Sequence, residues 1–187
     1  MPRWNPDARA RLVAAAVELF RERGYESVTI GEIAERAGLT RRSFFRHFPD
    51  KREVLFAGSR EKTPEIAEMI AAHGDDVSAR DAAFRTLTEV GDYLLHDRAA
   101  QALRQDLIAS SLELQERERT KMAAMGAAVA DGLRARGLPV DDAEALGAVA
   151  TEAFHLAYLR ATREAEPTPF ADHLATSVAG ITRLLTV

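Results

Sequence analysis

The chain has 187 residues, of which 47% are hydrophobic and 29% charged, with a net charge of −4 and no cysteine. This composition is typical of one or two small folded domains and argues against a disordered protein. The lack of cysteine excludes disulfides, thiolate-bound zinc fingers and thiol catalysis. No apolar run approaches the length of a membrane span, and the short polar start from Met1 to Pro6 is unlike a signal peptide. We therefore expect a cytoplasmic protein with no membrane partner.

Charge is distributed unevenly along the chain. Residues 1–60 hold 12 Lys and Arg against 8 Asp and Glu, whereas the remainder holds 13 against 21. Contacts to a polyanion depend on local rather than total charge. The split therefore indicates that a polyanion would bind at the N-terminal part of the chain.

The first predicted helix spans Asp7 to Arg23 and is ended by Gly24. Its apolar residues recur at spacings of three and four, which indicates one buried face, and they are Leu12, Ala15, Ala16, Leu19 and Phe20. No segment of the chain alternates polar and apolar residues over any length, so no sheet is expected. The fold class is predicted to be all-α, with about nine or ten helices.

The next stretch predicts two short helices. Thr29 and Glu32 have the spacing of a capping box, which starts a helix that ends at Gly38. Thr40 can cap a second helix over residues 41–48. Two short helices joined by a glycine turn are a helix-turn-helix.

The second short helix has an apolar face and a basic face. Phe44 and Phe48 lie four residues apart and can anchor it to a core, while the remaining surface is basic. A basic helix displayed on another helix suits the major groove of DNA, where Arg can bind guanine through two hydrogen bonds. The predicted base-edge readers are Arg41, Arg42, Ser43 and Arg46, and the predicted contacts to the DNA backbone are Thr29, His47 and Lys51.

A longer motif surrounds these two helices. It comprises Gly24-Tyr25, Val28-Thr29-Ile30, Ile33-Ala34, Ala37-Gly38, the aromatic cluster 44–48 and Phe48-Pro49-Asp50-Lys51. With these residues in place, the run from about Arg9 to Phe56 resembles the DNA-binding domain of the TetR family. The resemblance implies a ligand-responsive transcriptional regulator, most often a repressor, that binds a palindromic DNA operator as a homodimer. Where that family commonly has a tyrosine whose hydroxyl contacts a phosphate, this chain has Phe45, so that contact is lost or is replaced by a van der Waals contact with a sugar or a thymine methyl.

Every segment beyond the motif has a helical pattern. Asp50 can cap a fourth helix that runs through Phe56, and Ser78 begins the first of the later helices. We predict a helix-turn-helix DNA-binding domain over residues 1–50 and a larger helical domain for ligand binding and dimerisation over residues 51–187. The last two helices are rich in Ala and Gly, so pairs from two chains would make a four-helix bundle. Helix propensity alone also explains these alanines, and the family resemblance favours the dimer.

The middle helices supply a candidate effector pocket. Its apolar candidates are Phe84, Leu87, Leu107, Met122 and Met125, and its candidate polar anchors are Tyr93, Arg104 and His155. Core packing explains the apolar residues equally well. The run LRQDLIASSLELQERERTKMAAMGAAVADGLRARG is similar to the C-terminal domain of the mycofactocin-regulator branch of the family, which implies an acyl-CoA-like effector.

Other chemistry has little support in the sequence. The five histidines lack metal-ligand spacing, and there is no nucleotide-binding or hydrolase motif, so no metal, catalytic residue or cofactor is predicted. The run Arg117-Glu118-Arg119 is interpreted as a charged stripe facing solvent. Two alternatives stay open: a DNA-binding protein without ligand control, and a small helical enzyme that uses acidic residues or His155.

Overall fold

The computed structural model describes residues 6–57, 63–166 and 168–186, and within these ranges it contains nine α-helices, two short 3-10 turns and no strand. The helices are α1 (Pro6–Arg23), α2 (Ile30–Arg36), α3 (Arg41–His47), α4 (Thr63–Ala72), α5 (Ala79–Leu94), α6 (Arg98–Ala109), α7 (Leu112–Ala135), α8 (Val140–Arg163) and α9 (Phe170–Leu185). The predicted all-α class is confirmed. Among the described helices, none combines the length and apolarity that a bilayer crossing requires.

The described residues divide into two compact units. Unit 1 comprises residues 6–57 and 103–118, and unit 2 comprises residues 63–102, 119–166 and 168–186. The end of α6 and the start of α7 thus fold with the helix-turn-helix, an assignment that their hydrophobic pattern does not indicate. We call residues 103–118 the inserted segment.

Unit 1 packs around the apolar face of α1. Leu12, Ala16 and Phe20 are buried, and the Phe20 ring meets Tyr25 edge to face with 5.2 Å between centroids. The inserted segment adds three buried side chains to the same core, Leu107, Ile108 and Leu114. The helix-turn-helix therefore rests on a core that includes residues far along the chain.

Local capping fixes the helix-turn-helix as the sequence predicts. The Glu32 backbone N–H donates to Thr29 Oγ1 (3.3 Å), and the Thr29 N–H donates to the Glu32 carboxylate (2.8 Å). Gly38 turns the chain with φ of +64°, and the Ser43 N–H donates to the Thr40 hydroxyl (3.1 Å) at the start of α3. The guanidinium of Arg11 donates to the backbone carbonyls of this turn, so α1 holds the turn in place.

The helix predicted after Asp50 needs correction. Asp50 does act as a cap, since its carboxylate accepts from the Glu53 N–H (3.1 Å), but only one 3-10 turn follows, Arg52–Val54. Residues 54–57 are all buried. A segment whose side chains are all buried lacks the one-sided apolar stripe of a surface helix. The next helix, α4, begins at Thr63.

Unit 2 is a helical bundle in which α8 packs extensively against α9 and also against α5. The Phe154 ring on α8 meets Phe170 on α9 edge to face, with 5.2 Å between centroids. Gly91 on α5 leaves room for that ring, because a Cβ there would lie 2.1 Å from a Phe170 atom. Gly147 lets α8 approach α7, since a Cβ there would lie 2.8 Å from the Gly126 carbonyl oxygen.

Candidate nucleic-acid interface

Helix α3 presents a basic face that is anchored from below by aromatic rings. Phe44 is fully buried and contacts the buried Phe48 ring with 5.6 Å between centroids. On the opposite side Arg41, Arg42 and Arg46 are exposed. Within the described residues the side chains of Arg42 and Arg46 form no ion pair and no hydrogen bond, so both guanidinium groups can bind a ligand.

Several other arginines of unit 1 contrast with those of α3. Arg36 pairs with Glu22 (3.2 Å) and Glu18 (3.4 Å) on α1, and Arg23 pairs with Glu32 (2.8 Å). The hydrogen bond from Arg36 lowers the pKa of the Glu22 carboxyl. These cations fasten helices to one another, whereas those of α3 remain available for a polyanion.

The predicted contacts to the DNA backbone differ in how far they are already engaged. The Thr29 hydroxyl donates to the Glu32 carboxylate (2.7 Å), and together with the Thr29 N–H and Arg23 it lowers the pKa of Glu32 to about 2. His47 is half-buried, and its pKa is lowered first by burial and then by the charges of Arg46 and Arg9. Thr29 thus serves α2 as a cap, and the lowered pKa of His47 favours its neutral form.

Lys51 has a structural role that the sequence did not indicate. Its ammonium donates to the backbone carbonyls of Tyr25 (2.8 Å) and Val28 (3.0 Å), and it lies 4.1 Å from the centroid of the Tyr25 ring. Lys51 therefore ties the segment after α3 to the loop before α2. Two of its three N–H groups are used in this way.

A pair of ionic contacts encloses Phe56 within unit 1. Arg104 pairs with Glu118 (2.7 Å), Arg117 pairs with Glu53, and each guanidinium lies 4.8 Å from the Phe56 ring centroid. Arg104 also donates to a backbone carbonyl, and the hydrogen bond that Arg117 donates to Glu53 raises the pKa of Arg117. Four ionic groups and one aromatic ring thus connect the inserted segment to the rest of its unit.

These ion pairs bear on two predictions made from the sequence. The prediction that residues 117–119 form a charged stripe facing solvent is wrong. Arg117 and Glu118 are largely buried in ion pairs, and of the three residues only Arg119 is exposed. Arg104, a candidate effector anchor, is occupied inside unit 1. No sequence pattern signalled either pairing, because the partners are 14 to 64 residues apart.

The structure does not bring the eight predicted effector residues together. Leu107 and Arg104 belong to unit 1, while Leu87 and Met125 are buried in the core of unit 2. Phe84 lines a groove of about 740 Å³ between α5, α8 and α9, and Met122 lines a groove of about 560 Å³ between α7 and α8. Tyr93 is exposed and His155 is half-buried.

The described residues contain no group of three or more His, Asp, Glu or Cys side chains arranged to share a metal ion. The described residues form a helix-turn-helix whose second helix is exposed and basic, and the same chain contains a larger all-helical unit. Residues 12–57 match the family of bacterial regulatory proteins called the tetR family. This match covers the helix-turn-helix together with most of α1.

Two curated relatives resemble part of the chain. The chain is 31% identical over 112 residues to the HTH-type transcriptional repressor AcnR of Corynebacterium diphtheriae, covering 60% of this chain and 50% of AcnR. It is 48% identical over 46 residues to the HTH-type transcriptional regulator TcmR of Streptomyces glaucescens, covering 25% of this chain and 20% of TcmR. The matched part is thus half or less of the length of these curated relatives.

Two solved structures share the fold over almost the whole chain. The SmeT–triclosan complex has a TM-score of 0.63 at 18% identity and covers 92% of this chain and 90% of SmeT. Thermus thermophilus FadR, a TetR-family transcriptional repressor in complex with lauroyl-CoA, has a TM-score of 0.61 at 24% identity and covers 96% of this chain and 95% of FadR. At such identities the likeness establishes the fold.

Proposed function

We propose that this chain is a cytoplasmic transcriptional regulator, a repressor, that binds a palindromic DNA operator as a homodimer and is released by a small, mostly apolar effector. DNA binding belongs to unit 1, and effector binding and dimerisation belong to unit 2. The observation that carries the proposal is the set of exposed arginines on α3, whereas Arg11, Arg23 and Arg36 in the same unit are engaged with carbonyls or carboxylates.

The exposed side of α3 supplies the base contacts. Arg41, Arg42 and Arg46 reach base edges, and each arginine that binds a guanine through two hydrogen bonds discriminates against the wrong base by about 1–3 kcal/mol. Ser43 is half-buried beside the Thr40 cap and contacts the edge of the site. The third N–H of Lys51, with Thr29 and His47, holds the DNA backbone.

Two copies of α3 need a fixed separation to read a palindrome. The exposed face of α8 supports pairing, since Val149 and Leu156 are 39% and 41% exposed. The neighbouring exposed face of α9 has small residues at Ala175 and Ala179, which allow close helix approach. We place the dimer contact on these two faces.

The groove between α5, α8 and α9 suits a mostly apolar effector with one anionic group. Phe84 and Leu174 line it, and Arg80 and Arg85 supply positive charge. SmeT and FadR, which share this fold, were solved with triclosan and lauroyl-CoA. Since Val149 lines the groove and also lies on the proposed dimer face, an effector bound there would change the pairing of protomers and hence the spacing of their α3 helices.

Footprinting of the full chain on the DNA flanking its own gene tests the proposal. A protected palindrome is expected, and Arg42→Ala should relax specificity at one base pair per half-site. Arg21→Ala removes the same charge from an exposed position on α1 and serves as the matched control, which should bind like the parent.

Two other outcomes would favour the alternatives. Specific binding that no fatty acid, acyl-CoA or aromatic acid weakens would favour a DNA-binding protein without ligand control. Absence of specific binding would remove the regulator from consideration and leave an enzyme or an interaction protein.

A further inference from the structure

Phe45 is an exposed aromatic residue on a helix face that is otherwise polar. Its side chain is 47% exposed, and its ring lies edge-on to the buried Phe44, with 5.7 Å between centroids and 83° between planes. The guanidinium of Arg41 lies 5.8 Å from the centroid of the same ring. Phe45 is thus held between a buried ring and an exposed cation.

A phenyl ring offers DNA no hydrogen bond. In the major groove, the apolar group that it can bury is the methyl group on C5 of a pyrimidine, which thymine and 5-methylcytosine both carry. Burial of one methyl group is worth about a fourfold gain in affinity. The exposed ring of Phe45 can therefore distinguish base pairs that carry this methyl group from base pairs that lack it.

Arg41 extends the contact to a second base pair. Its planar guanidinium can donate to both O6 and N7 of guanine, and its position over the Phe45 ring restricts its rotamers before DNA arrives. Bases are stacked about 3.4 Å apart along each strand. A ring and a cation 5.8 Å apart can therefore reach neighbouring, laterally offset base pairs.

We propose that Phe45 and Arg41 act as one reader of a 5-methylpyrimidine next to a guanine, so that each operator half-site contains such a step. The proposal rests on the proposed function, in which α3 is the recognition helix, and it specifies what part of that helix recognises. Thymine and 5-methylcytosine are the two sources of the methyl group.

The test begins with selection of binding sites by the full chain from a random-sequence duplex library. Synthetic duplexes of the selected site are then made with uracil in place of each thymine in turn, which removes only the methyl group. At one position per half-site, next to a guanine, uracil should weaken binding about fourfold. For Phe45→Ala the thymine and uracil duplexes should bind equally.

Two further substitutions separate the parts of the reader. Placing cytosine and 5-methylcytosine at the sensitive position shows whether methylated DNA is also bound, because only the methyl group differs between those duplexes. Replacing the adjacent guanine by 7-deazaguanine should weaken the parent chain and leave Arg41→Met unaffected, because Met has no donor for N7.

The outcomes distinguish this inference from the proposed function. If a site is selected but uracil has no effect at any thymine, the reader is refuted while the DNA-binding function stands. If no sequence is selected, the proposed function itself fails. The uracil comparison uses the parent protein, so it does not depend on the folding of a variant.

Discussion

Replacement of Lys51 by Met should destabilise unit 1 while leaving the rest of the chain folded. Met keeps an unbranched, apolar side chain but lacks the ammonium that donates to the Tyr25 and Val28 carbonyls at 2.8 and 3.0 Å. A hydrogen bond from a charged donor contributes about 1.5–3 kcal/mol, and the contact with the Tyr25 ring adds about 0.5–1 kcal/mol. Water reaches this half-buried site and replaces part of what is lost.

We therefore expect Lys51→Met to lower the free energy of opening by about 2–4 kcal/mol. Hydrogen exchange followed by mass spectrometry on peptides from residues 20–57 of the full chain measures that quantity, because it reports opening of each unit separately. Arg21→Met is the control, since Arg21 is exposed and a surface substitution should change stability by less than about 0.5 kcal/mol. A loss below about 1 kcal/mol for Lys51→Met would refute a structural role for this ammonium. If its third N–H also meets a phosphate, the salt dependence of operator binding falls by about one unit.

Three other substitutions test separate features. The pKa of the Glu32 carboxyl is lowered from 4.5 to about 2, so the stability that it contributes is complete above pH 4.5 and is lost as the pH falls toward 2. In Glu32→Gln the free energy of unfolding, measured by circular dichroism, should therefore depend less on pH between 4.5 and 2. Gly91→Ala places a Cβ 2.1 Å from the Phe170 ring and should cost about 1–3 kcal/mol in chemical unfolding, whereas Gly180→Ala, with no neighbour within 4 Å, should be neutral or stabilising. An unchanged midpoint for Gly91→Ala would mean that the ring moves freely. Leu156→Arg should halve the mass measured by light scattering without unfolding the chain, and retention of the dimer would place the interface elsewhere.

The structure also shows which substitutions are unsuited to a test of the dimer. Ala153 and Leu174 lie in the apolar helices α8 and α9, but both are buried in the core of unit 2. An arginine at either position would be forced into that core and would unfold the unit. The exposed Val149 and Leu156 are the appropriate positions for a charge.

Local features of the fold were predictable from the sequence because a few neighbouring residues determine them. The capping box at Thr29, the turn at Gly38 and the cap at Ser78 all depend on contacts within about one helical turn, and all three occur in the structure. The basic face of α3 follows from the same short-range periodicity, with Phe44 placed inside and Arg42 outside.

The remaining features depend on residues that are distant in sequence. Lys51 donates to the Val28 and Tyr25 carbonyls, which are 23 and 26 residues away in sequence. Arg117 pairs with Glu53, which is 64 residues away. Helical periodicity predicts which face of α6 is buried but not which residues pack against that face. Leu107 is therefore a candidate pocket residue by its sequence pattern, whereas in the structure it lies in the core of unit 1. Only the tertiary structure supplies these pairings.

The inserted segment has a consequence for anyone who wishes to excise or exchange the DNA-binding part of this protein. A fragment that ends at residue 57 would leave behind Leu107, Ile108 and Leu114, and with them part of the core under the helix-turn-helix. It would also leave Glu53 buried without the guanidinium of Arg117. The compact unit that contains the helix-turn-helix is therefore discontinuous in sequence, and a chimera that is to keep this unit folded has to carry residues 103–118 together with the N-terminal helices.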